Sequence, residues 1–77
     1  MEFWVLTQVG KEMILPLQQA GMEEEVCILK LLNRAEGTTV EQIAYITRLD
    51  ENTTRNKLRA LSERRLVWLK TTKTVAF

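Results

Sequence analysis

Histidine is absent from this chain of 77 residues, and cysteine occurs once, at Cys27. Without an imidazole the chain lacks the usual side chain for proton transfer near neutral pH, and a lone cysteine makes neither an intramolecular disulfide nor a cysteine-only zinc site. No basic residue adjoins Cys27 in its apolar run, so it is expected to be a buried, inert thiol. Long hydrophobic runs are missing too. No stretch nears the roughly 20 apolar residues of a membrane span, and the N-terminal "MEFWVLTQVGKE" has no basic leader or small-residue cleavage site. The expected setting is soluble and cytoplasmic. A domain of this length buries only about 60% of its unfolded surface, which leaves little room for a deep enclosed active site. No enzymatic activity, cofactor or metal is expected. Glu23, Glu24 and Glu25 do not alter this, because consecutive helical residues point in different directions and three acids at a helix start suit its dipole.

The formal charge of +1 hides an asymmetry. Residues 1–47 hold three Lys/Arg against seven Glu, which is −4; residues 48–77 hold eight Lys/Arg against Asp50, Glu51 and Glu63, which is +5. A basic C-terminal half is what a surface meeting phosphates would show, although a solvated helix face would also be charged.

Helix signals divide the chain. "EEEVCILKLLNRAEG" opens with three acids and closes with Arg34 and Gly37, so a helix is expected there, and its run from Val26 to Leu32, polar only at Lys30, needs cover on more than one side. Thr39 and Gln42 stand at capping-box spacing, which predicts a helix from Val40 to about Thr47. Asp50 offers the next N-cap after a tight turn, giving a further helix over 51–64. At about 100° per residue from Thr54, Leu58 (near 40°) and Leu61 (near −20°) share its inward stripe. On the same scale Arg55 (about 100°), Arg59 (about 140°), Asn52 (about 160°), Glu63 (about 180°) and Asn56 (about 200°) form the outward face. Arg and Asn are the side chains best shaped to read guanine and adenine edges in a major groove. Beyond this helix, "LVWLKTTKTVAF" has the pattern of a hairpin, with strands near Val67–Lys70 and Thr74–Phe77 and a basic tip around Thr71, Thr72 and Lys73.

The stretch "TVEQIAYITRLDENTTRNKLRALSERRLVWL", with its Ile-Ala pair, turn, Leu-Asp, two leucines three apart and terminal Leu-Val, resembles the winged helix-turn-helix superfamily. It is most like small regulators of the MarR and ArsR type and their archaeal relatives. The resemblance spans about residues 23–77 and implies a mainly α fold with a small β-hairpin (α+β), carrying an extra N-terminal segment over 1–22. It implies sequence-specific double-stranded DNA binding by a transcription regulator, cytoplasmic and nucleoid-associated. The implied contacts are Asn52, Thr53, Arg55, Asn56 and Arg59 on the recognition helix, Arg48 and Arg65 at its flanking turns, and Lys70, Thr72 and Lys73 on the wing. The family often has glycine where this chain has Arg48 and Arg65; a left-handed arginine would cost roughly 1 kcal/mol relative to glycine.

Residues 1–22 fit the pattern less directly. "LTQVGKE" matches an LT-x-x-GKE stretch found where a wing runs into a following helix, here placed before the domain. One reading makes Phe3–Leu6 a strand against the C-terminal hairpin, followed by a helix from Gly10 or Lys11 that Pro16 bends or interrupts. Another uses Phe3, Trp4, Met13, Ile14, Leu15 and Leu17 as the interface of a homodimer, which would set two recognition helices about 34 Å apart on a palindromic site. These side chains could equally cover the Val26–Leu32 helix. The N-terminal stretch with "GMEEEVCILKLL" also resembles winged-helix modules of archaeal phenylalanyl-tRNA synthetase alpha chains, so a module binding structured RNA or protein partners is the alternative function.

Overall fold

Side-chain caps open three of the four helices of the computed structural model, which describes residues 2–35 and 37–71; the helix that starts at Glu23 follows Met22 with no side-chain cap. In chain order the elements are β1 (Glu2–Leu6), α1 (Gln8–Gln19), α2 (Glu23–Arg34), α3 (Val40–Thr47), α4 (Glu51–Glu63) and β2 (Val67–Thr71). The architecture is mainly helical with a small antiparallel sheet of two strands. Thr39 and Gln42 form the reciprocal capping box of α3, and Asp50 caps α4 by accepting the Thr53 amide at 3.0 Å. Each cap gives partners to amides that a helix start would otherwise leave open.

The C-terminal ends show why two arginines occupy unusual backbone. Arg65 has φ 62°, its amide donates to the Ser62 carbonyl, and the Leu66 amide donates to the Leu61 carbonyl, which is the Schellman pattern. Gly21 ends α1 in the same way, through Gly21 to Gln18 and Met22 to Leu17. Arg48, at φ 61°, ends α3, and the Leu49 amide reaches the Ala44 carbonyl. Both arginines thus occupy the left-handed region where glycine is favoured.

The sheet joins the two ends of the chain. β1 pairs with β2 in antiparallel register, Trp4 opposite Leu69 and Leu6 opposite Val67, and Trp4 also exchanges backbone hydrogen bonds with Thr38 at 2.8 and 3.2 Å. β1 therefore lies between β2 and Thr38. The partner of Val67–Thr71 among the described residues is this N-terminal strand; Thr74–Phe77, expected as the second strand of a hairpin, lies outside them.

The "LT-x-x-GKE" spacing has a structural cause. Thr7 caps α1 by accepting the Gly10 amide at 2.9 Å, while its hydroxyl donates to the Arg65 carbonyl at 2.7 Å. This seats the first turn of α1 so close to the segment after α4 that a Cβ on Gly10 would stand 2.1 Å from the Leu66 carbonyl oxygen. The helix starts at Gln8, earlier than Gly10, and runs uninterrupted through Pro16.

One core gathers Trp4, Leu17, Ile28, Leu29, Leu32, Ile43, Leu58, Leu61, Leu66 and Val67, with Met13 and Ile14 packed against it. The N-terminal segment thus covers α2 within the same chain. Of the six side chains expected at a dimer interface, Trp4 and Leu17 are buried, Phe3, Met13 and Ile14 are partly buried, and only Leu15 is exposed. Cys27 departs from expectation: it is exposed. On α2 the buried Val26, Ile28, Leu29 and Leu32 span an arc of about 160° at 100° per residue, and Cys27 falls outside it beside Lys30. A run of consecutive apolar residues overfills the face that one layer of neighbours can cover.

Candidate nucleic-acid interface

The back of α4 is fixed in place. Thr54, Leu58 and Leu61 are buried, as the stripe predicts, and the Thr54 hydroxyl donates to the Asp50 carbonyl at 2.9 Å. At the first turn the Asp50 carboxylate accepts the Thr53 hydroxyl at 2.5 Å as well as the Thr53 amide, and these two bonds hold the Asp50 carboxyl below its ordinary pKa. The Thr53 hydroxyl proton is thereby committed to the cap, so toward a ligand Thr53 can offer only an acceptor.

The front of α4 is open. Asn52, Arg55, Asn56 and Arg59 are all exposed, and Glu63 lies with them at the C-terminal end. Among the described residues neither arginine forms an ion pair. A guanidinium presents a planar fork of donors, and an amide presents one donor and one acceptor side by side, so this face can make the paired hydrogen bonds that distinguish base edges. Arg48 and Arg65 are exposed at the turns on either side of α4, where a long cation can reach a backbone phosphate. Lys70 is exposed on β2; Thr72 and Lys73 lie outside the described residues.

Two features of the surroundings were not read from the sequence. Lys57 is withdrawn from the basic surface: its ammonium lies 2.8 Å from Glu25 and 3.5 Å from Glu24 at the start of α2. The hydrogen bond with Glu25 holds the Glu25 carboxyl below its ordinary pKa and raises that of Lys57. The acids at the start of α2 therefore clamp α4 as well as facing the helix dipole. The signal was available in the angle of Lys57, about −60° on the scale that puts Leu61 near −20°, which sets it at the margin of the buried stripe. The second feature concerns Arg55, which shares a groove with Glu2, Thr39, Glu41 and Gln42, so two carboxylates flank one end of the front face.

Among the described residues no three His, Cys, Asp or Glu side chains cluster closely enough to hold a metal ion, and no helix is long and apolar enough to cross a membrane. Compared with models of protein families, with curated proteins and with solved structures, the chain gives no match.

Proposed function

We propose that this protein is a winged helix-turn-helix transcription regulator that binds double-stranded DNA in a sequence-specific manner. In this reading α4 enters the major groove, Asn52, Arg55, Asn56 and Arg59 read base edges, Arg48 and Arg65 hold phosphates, and the β1–β2 ribbon with Lys70 serves as the wing. The observation that carries the reading is the division of α4: a buried, capped and clamped back, and a front of two arginines and two asparagines open to solvent. The homodimer belongs to the same proposal, because one α4 spans only a few base pairs and two copies can address half-sites about 34 Å apart. Its interface lies elsewhere than the N-terminal apolar residues, most of which serve the chain's own core. A DNA-bound regulator would be cytoplasmic and nucleoid-associated.

Selection from a random duplex library, followed by fluorescence anisotropy on the enriched sequence, on a scrambled duplex and on a structured RNA, tests the proposal. The expected result is a duplex preference of at least about a thousandfold over non-specific DNA at fixed salt. Equal affinity for all duplexes, or tighter binding to the RNA, would overturn it. A module that contacts a protein partner is the second reading, favoured by Glu2 and Glu41 beside Arg55, which oppose a phosphate backbone but not a cationic protein surface.

A further inference from the structure

The described surface carries a second constellation, apart from the front of α4. An open groove of roughly 500 Å3 between α2 and α3 has a floor of Cys27, Leu31 and Ile46 and a rim of Lys30, Arg34 and Arg48. Ile46 is 57% exposed, and its neighbour Tyr45, at 86%, extends the uncovered surface of α3. No carboxylate lines the groove, and among the described residues none of the three cations forms an ion pair. Arg34 also faces the C-terminal dipole of α2, but Lys30 lies a turn earlier and Arg48 beyond α3, so the dipole alone does not gather all three.

We propose that this groove docks an acidic amphipathic helix of a different protein. Apolar side chains at i, i+3, i+4 and i+7 of that helix rest on Cys27, Leu31 and Ile46, and its flanking carboxylates meet Lys30, Arg34 and Arg48. The alternatives fit less well for stated reasons. A second copy meeting this groove across a two-fold axis would set three cations against three cations, and a head-to-tail copy would make an open chain rather than a closed dimer. A nucleic-acid backbone would match the rim, but its phosphates would be desolvated against the apolar floor. The proposal does not rest on what α4 binds; Arg48, on the rim, is the one residue it shares with the proposed DNA contacts.

The test uses a labelled synthetic peptide with leucine at i, i+3, i+4 and i+7 and glutamate elsewhere, and a control with lysine in place of glutamate. Anisotropy should show saturable binding of the acidic peptide to the intact chain and none of the control. Ile46→Asp should weaken binding about tenfold or more. The double variant Lys30→Glu, Arg34→Glu should reverse the preference toward the lysine peptide; both positions are exposed, so it decides the matter where Ile46→Asp proves unfolded by circular dichroism. Cys27, the single cysteine, supplies an independent readout: its thiolate attacks an aromatic disulfide reagent and releases a coloured thiolate, and bound peptide should slow that release. Absence of saturable binding, equal binding of both peptides, or unchanged Cys27 reactivity would overturn the proposal. So would loss of duplex DNA binding in a Lys30→Ala, Arg34→Ala variant, two positions outside the proposed α4 contacts, which would assign the groove to nucleic acid.

Discussion

The front and back of α4 carry basic side chains of different fates. Lys57 on the back is held by Glu25 and Glu24 and contributes to the joint with α2, whereas Arg55 and Arg59 on the front have no ionic partner among the described residues. A charge count treats these cations alike. What matters for binding is the charge left unneutralised on a shared face, and what matters for folding is the charge consumed between elements. Under the proposed function the same helix separates stability from recognition, and substitutions on its two sides should have separable effects.

The largest effect should come from the back. Leu58→Ala, at a fully buried position, should cost about 2–5 kcal/mol of unfolding free energy by urea titration. A loss below about 1 kcal/mol would mean that α4 is not seated on this core. Next comes the front: Arg55→Ala or Asn56→Ala should remove about 1–3 kcal/mol of preference for the selected duplex while the urea midpoint stays in place. If both variants keep full specificity, the front face does not read bases. Glu41→Gln should act oppositely, strengthening binding to every duplex by removing a carboxylate from the groove that Arg55 shares.

The turn after α4 sharpens the comparison, since Arg65 is expected to serve recognition at the expense of backbone strain. Arg65→Gly should raise stability by about 1 kcal/mol, which in a domain of this size is about 4–8 °C in Tm, and should weaken binding to all duplexes alike. Unchanged or lower stability would show that Arg65 makes compensating contacts. The smallest effect belongs to the clamp: Lys57→Met should cost less than about 1 kcal/mol at neutral pH. Because Lys57 lowers the Glu25 pKa on folding, that contribution is present above the ordinary glutamate range and is lost as pH falls through the folded Glu25 value. The intact chain and the variant should therefore converge in stability in acid. A difference that persists there would trace the effect to packing of the lysine stem.

Sequence alone was informative where the determinants are local. The start of α3 follows from Thr39 and Gln42 three residues apart, and the start and buried stripe of α4 follow from Asp50 and the spacing of Thr54, Leu58 and Leu61. These interactions act within four residues, so they stand in the sequence in the order in which they act. The open front of α4 was legible by the same periodicity. The exposure of Cys27 was not, because an all-apolar run does not state which of its faces its neighbours will reach.

The tertiary structure decided what depends on residues far apart in the chain. Which strand pairs with Val67–Thr71 is one such choice, and Glu2–Leu6 takes it. Thr7 and Gly10 explain why, since the Thr7 hydroxyl bonds to Arg65 across 58 positions and glycine alone lets α1 approach the Leu66 carbonyl. The clamp of Lys57 on Glu25 and the grouping of Lys30, Arg34 and Arg48 around one groove arise the same way. A capping motif names its partner by spacing, whereas a strand edge or a lone cation accepts any complementary group, and only the packing of the whole chain determines which group arrives.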